Sequence, residues 1–208
     1  MGRPRVAILN RDKIGAAALD LVDRNGDFTM PGLARHLGVQ VAAVYHHVPA
    51  GRAEIIEMVR VLVAQRIDDA AFDRMPWDEA CVVWAQSYLG AFSAHPAAVR
   101  LLATEPIRDP GLIAAYNPVA AGLARAGFGD GEIIAVITAV ENFVLGAALD
   151  ASAPDIVVAA DQDGIEPELR RALDEAPTGP ARAAQAFDLG IEAFVDGLRQ
   201  RLSRRAEA

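Results

Sequence analysis

The chain has 208 residues, enough for one large or two small domains, and 52% of them are hydrophobic while only 6% are aromatic. Its Ala-rich composition favours packed helices over a sheet sandwich, and a single cysteine, Cys81, excludes an internal disulfide or a cysteine-cluster metal site. The formal charge of −8 argues at first against a nucleic-acid partner, but it is unevenly spread: residues 1–66 hold nine basic and six acidic residues, and the remainder holds eleven and twenty-two. A mildly basic head on an acidic body fits a protein that meets phosphates at one end.

The segment 1–5, Met-Gly-Arg-Pro-Arg, is basic but has no apolar stretch behind it, so it reads as an arm and not as a secretion signal. No apolar run is read as approaching the roughly 18 residues of a membrane span, and the expectation is a cytoplasmic protein without a membrane partner.

In chain order, Ile14, Ala17, Ala18, Leu21 and Val22 form one apolar stripe at helical spacing. Asn10 is placed to cap this first helix, and Asn25-Gly26 to end it. Thr29 caps a second helix, from Met30 to Leu37 with Pro31 in its first turn, and Gly38 stops it. A third, short helix covers about Gln40 to His47, and Pro49-Ala50-Gly51 breaks the chain. A fourth helix, residues 53–73, connects the head (1–52) to a helical body (74–208).

In the body, Asp78 is the expected cap of a helix that runs to about His95 and carries Trp84, Tyr88 and Phe92 on one face. Another helix covers 111–126, and residues 132–150 are apolar nearly all round, so that helix must be buried in the chain or against a partner. Residues 152–165 read as loop, with a strand or short helix at Ile156-Val157-Val158. Pro167 opens a short helix, and a long one follows from about Pro180 to Arg204. The expected fold class is all-α.

The second and third helices carry the pattern of a helix-turn-helix. Ala34 is the small side chain where the helices cross, Gly38 suits a turn needing positive φ, and Val44 is a branched apolar lock. In such a unit the second helix enters the major groove and presents Gln40, Val41, Ala43, Tyr45 and His46 outward. Gln40 suits adenine N6/N7, and Val41 and Ala43 suit thymine methyls. Thr29, Tyr45, His47 and Arg52 are read as phosphate contacts, and Arg3 and Arg5 as backbone or minor-groove contacts.

The segments Phe28-Thr29-Met30, Leu33-Ala34-x-x-Leu37-Gly38-Val39 and Val44-Tyr45-His46-His47-Val48 resemble the DNA-binding domain of the tetracycline-repressor (TetR) family, over Leu9 to Ile67. That family commonly has a Lys at the start of its fourth helix that contacts phosphate. Here Arg52 stands there, after a turn one residue longer than the commonest form. His95-Pro96 and the segment Phe187-Asp-Leu-Gly…Gly197-Leu198 look like that family's tetracycline-repressor type of C-terminal domain.

The resemblance implies a repressor that a small-molecule effector releases from double-stranded operator DNA, and a body that dimerises. Two seams of small residues support dimerisation independently: Ala135, Ala139, Asn142 and Gly146, and Ala186, Gly190, Ala193 and Gly197. They place a homodimer contact on helices near 132–150 and 180–204. Effector-site candidates are Trp84, Tyr88, Phe92, His95, Glu105, Tyr116, Asn117, Glu141 and Asn142, an aromatic lining with a few polar anchors. For each aromatic, plain core packing is the competing reading. No cofactor, metal site or catalytic residue is expected, and hydrolase, phosphate-loop and zinc-protease motifs are not seen. The alternatives are an all-α enzyme, which turnover would reveal, and a helical binding protein without DNA function, which would show no salt-dependent duplex binding.

Overall fold

A computed structural model describes residues 9–103, 105–159 and 164–207. Every regular element among them is a helix: α1 (Arg11–Asn25), α2 (Met30–His36), α3 (Val41–His47), α4 (Arg52–Ala64), α5 (Ala71–Arg74), α6 (Trp77–Ser93), α7 (Pro96–Leu102), α8 (Pro110–Ala126), α9 (Asp130–Asp150), α10 (Pro167–Glu175) and α11 (Gly179–Ala206). The chain forms two compact units, Met1–Arg66 with His95–Ala114, and Ile67–Ala94 with Ala115–Ala208.

In the first unit, the head, local chemistry sets the helix ends. The Asn10 side chain accepts from the Lys13 amide at 2.9 Å, and Gly26 closes α1 with φ +77°. Thr29 Oγ1 accepts from the Gly32 amide at 3.1 Å and starts α2. The core joins Ile14, Ala18 and Val22 of α1 to Leu33 and Ala34 of α2, Val44 and Val48 of α3, and Ile55, Ile56 and Val59 of α4, all 3% exposed or less.

The domain boundary expected near residue 74 does not match this division. Segment 95–114 belongs to the head, because Ala98, Val99, Leu101 and Leu102 are buried and α7 packs on α1 and α4. His95 Nδ1 lies 2.9 Å from Asp23 Oδ2 of α1. The connecting helix, expected to reach residue 73, ends at Ala64. Side chains draw the following residues out of helical geometry: the Asp68 amide donates to Ser87 Oγ at 2.9 Å, and Asp69 Oδ1 accepts from Trp84 Nε1 at 2.9 Å.

The second unit, the body, packs α6, α9 and α11 around Cys81, Trp84, Val119, Leu123, Ile137, Val140, Val144, Phe187 and Ile191. Two glycines permit close approach. A Cβ on Gly190 of α11 would lie 2.5 Å from the Phe143 ring, and one on Gly122 of α8 would lie 2.7 Å from Phe72. Asp78 is not the N-cap of α6, which starts after Pro76; it lies in the first turn and accepts from Arg199 Nη2 of α11 at 2.6 Å.

The sequence expectation about membrane spans also needs correcting: α9 is long and apolar enough to cross a membrane by length and composition. Its stripe Ile133, Val136, Ile137, Val140 and Val144 lies in the body core, the behaviour of a core helix. Ile156, Val157 and Val158 are exposed and form neither strand nor helix.

Candidate nucleic-acid interface and effector region

The recognition element is built outward from two valines. Val44 and Val48, one turn apart, are fully buried, which fixes the inner face of α3. At 100° per residue the opposite face is centred on residues 42 and 46, with 43 and 45 on its two flanks. Gln40, Ala42, Tyr45 and His46 are exposed, while Val41, Ala43 and His47 are half-buried. Sequence reasoning missed Ala42, although its position two residues before Val44 marks it. Gln40 sits at the N-cap of α3 with no cap bond from its side chain. Tyr45 rests against Gly51, whose φ of +66° turns the chain into α4 and where a Cβ would lie 3.0 Å from the ring. His46 and His47 meet edge to face at 5.5 Å. Arg3 and Arg5, the arm residues, lie outside the described residues.

Arg52 is not an unpartnered cation. Its Nη2 donates to Asp27 Oδ1 at 2.7 Å, its Nη1 donates to the Phe28 carbonyl, and its guanidinium lies 4.6 Å from the centre of the Phe28 ring. Partial burial works against the Asp27 charge, but the Arg52 hydrogen bond and the Phe28 amide outweigh it and hold that carboxyl below the usual carboxylate range.

On the other side of α3, Arg11 Nη1 donates to the His47 carbonyl at 2.9 Å and also to Glu54 Oε1. Glu54 Oε2 accepts from the Ala50 amide at 3.1 Å. This pair walls a groove of about 700 Å3 whose other residues include Met58, Leu62 and Glu57.

Glu57 accepts from the Arg108 and Asp109 amides at 2.8 and 2.9 Å, and Arg60 donates to the Leu102 and Glu105 carbonyls at 3.1 and 2.7 Å. Burial opposes the Glu57 charge, yet the two amides and Arg60 hold its carboxyl low. The sequence pointed to none of Arg11, Asp27, Glu54, Glu57 or Arg60, because their long-range partners lie 25 to 52 residues away.

The effector candidates divide between the units. His95 and Glu105 belong to the head, where the first pairs with Asp23 and the carbonyl of the second accepts from Arg60. In the body, Tyr88 stacks on Phe92 at 5.0 Å and meets Trp84 edge to face at 5.8 Å. Tyr116 donates to Glu141 Oε1 at 2.6 Å, and Tyr88 approaches the same oxygen at 3.5 Å. Five of the seven candidates left to the body form one joined set, Trp84, Tyr88, Phe92, Tyr116 and Glu141, while Asn117 and Asn142 are exposed.

The fold and this head define a helix-turn-helix transcriptional regulator. Residues 73–202 match the family model described as tetracyclin repressor-like, C-terminal domain, and the chain belongs to the tetracycline-repressor (TetR) family. It is 29% identical over 199 residues to the tetracycline repressor protein class A from transposon 1721 of Escherichia coli, covering 89% of this chain and 88% of that one. It is 29% identical over 141 residues to an HTH-type transcriptional regulator of Saccharopolyspora erythraea, covering 67% of this chain and 59% of that relative's length. The fold is shared with apo ActR from Streptomyces coelicolor, at a TM-score of 0.78 and 23% identity, over 96% of this chain and 99% of that one. These relatives are regulators, not enzymes.

Proposed function

We propose that this chain is a homodimeric repressor that holds a pseudo-palindromic operator with α3 of each copy in the major groove and releases it when a small molecule binds the body. The carrying observation is the outward face of α3, where Gln40, Ala42, Tyr45 and His46 are exposed above the buried Val44 and Val48. Gln40 reads a base edge, Val41 and Ala43 meet thymine methyls at the rim of that face, and Tyr45 and His46 meet the groove. Thr29 and His47 contact phosphates, and Arg3 and Arg5 of the arm reach the backbone or minor groove. Such a protein works in the cytoplasm beside its DNA.

Dimerisation is supported by apolar and small residues left bare on two body helices. On α9, Ile134 is 67% exposed and Ala135, Asn142 and Gly146 lie on the surface; on α11, Leu189 is 69% exposed beside Ala186, Ala193 and Gly197. Of the two expected seams, Gly190 is the member taken up inside the subunit, against Phe143. The rest pair with a second copy as a four-helix interface. The effector lies against the Tyr88–Phe92 stack, with Glu141 as its polar anchor.

Fluorescence anisotropy on duplexes selected from random sequence, at two salt concentrations, tests this reading. Tight, sequence-selective binding that weakens with salt, by a dimer in sedimentation, is expected. A monomer that selects no duplex overturns it.

A further inference from the structure

We propose that Arg11 and Arg52 are positioning residues of the recognition helix, each acting through a carboxylate of this chain, Glu54 and Asp27, and not through DNA phosphate. The proposal rests on the regulator reading above and adds what sets the pose of α3. That helix has seven residues, too few to hold itself, and its buried anchors Val44 and Val48 fix its depth but not its ends.

Two clamps fix the ends. Arg11, the first residue of α1, bonds the His47 carbonyl at the C-terminal end of α3 and the Glu54 carboxylate, which itself accepts from the Ala50 amide at 3.1 Å. The turn after α3 is therefore stapled to the starts of α1 and α4. Arg52, the first residue of α4, bonds Asp27 at 2.7 Å and the Phe28 carbonyl. Those two residues immediately precede Thr29, the cap of α2. The second clamp thus sets the start of the helix that crosses α3.

The charge balance separates this role from phosphate contact. Each guanidinium faces a carboxylate, so the pair brings no net positive charge to the DNA and adds little to counterion release. Exposed pairs contribute little to global stability, so single variants remain folded.

The test measures operator affinity of the full chain across salt for Arg11→Ala, Glu54→Ala, Arg52→Ala and Asp27→Ala, with circular dichroism to verify folding. All four are expected to weaken operator binding by about tenfold, as the same 1.4 kcal/mol per decade. The salt slope should stay that of the parent, whereas loss of a phosphate contact lowers it by about 0.9. The carboxylate variants decide, because they make the head more positive and simple electrostatics has them bind tighter. Hydrogen exchange without DNA gives a second readout: the Ala50 amide should lose protection in Arg11→Ala and Glu54→Ala. Binding as tight as the parent in the carboxylate variants, a slope lowered in the arginine variants, or unchanged Ala50 exchange overturns the proposal. If the parent selects no duplex, the regulator reading fails while the Ala50 exchange still decides the Arg11–Glu54 clamp.

Discussion

The head and the body are held together by different chemistry. The head joins short helices over a core of small aliphatic side chains, and long-range bonds from Arg11, Arg52, Glu57 and Arg60 to backbone groups fix their ends. The body packs long helices by ring contacts and by glycines that let helices close up, as with Trp84 on Phe72 and Gly190 on Phe143. A reading head needs fixed ends and an outward face free of apolar bulk. A body proposed to take up a ligand and a second copy gains more from broad, adaptable apolar surfaces.

The largest break in this contrast is expected at Trp84, 2% exposed and bonded to Asp69. Trp84→Ala should cost about 3–5 kcal/mol in urea unfolding, with the cavity it leaves inside the body. In the head the matching break is electrostatic. The Arg60 and Glu57 side chains are 11% and 14% exposed, and Arg60→Met leaves a carboxylate and two carbonyls without their cation. A loss of about 3 kcal/mol in the same assay is expected, and less than 1 kcal/mol would mean that the aliphatic core alone holds the head.

Gly122→Ala sharpens the body half, because the new Cβ would lie within 3 Å of the Phe72 side chain. An overpacking cost of about 1–3 kcal/mol is expected, and an unchanged unfolding midpoint would show that Phe72 can move aside.

Titration gives a smaller and opposite pair of effects. Asp27 in the head has a folded pKa below its ordinary value, so its contribution to stability is complete above that ordinary value and is lost as pH falls through the depressed one. Asp69 in the body is pushed up by burial, against the pull of the Trp84 hydrogen bond. There the native state binds the extra proton, so stability declines as pH rises from the ordinary carboxylate value through the raised one. Acid unfolding curves of Asp27→Asn and Asp69→Asn should therefore depart from the parent in opposite directions. The smallest effect is chemical: burial, with a lesser part from the Asp78 charge, pushes the Cys81 thiol up to about 12. Iodoacetamide at pH 8 should leave Cys81 untouched until the body unfolds.

Much of the fold was legible in the sequence because helix ends and apolar stripes are local signals. Asn10, Thr29 and Gly26 act where their chemistry places them, and the period set by Val44 and Val48 fixes the outward face of α3. The head was also legible as a resemblance, through the segments from Phe28 to Val48. Periodicity ran past the true end of the connecting helix, since Ile67 continues the apolar stripe of α4 while Asp68 and Asp69 are drawn away by Ser87 and Trp84.

Sequence by itself thus determined the all-α class and the helix-turn-helix, because each follows from local spacing along the chain; of the outward residues of α3 it marked the exposed Gln40, Tyr45 and His46 but passed over Ala42 and took the half-buried Val41 and Ala43 as outward. Tertiary structure alone decided that segment 95–114 completes the head and that Gly190 serves the subunit's own packing. It alone also decided that Arg52 faces Asp27 and that Arg11 reaches the end of α3. These depend on groups dozens of residues apart, whose meeting is set by how helices cross and not by any pattern along the chain.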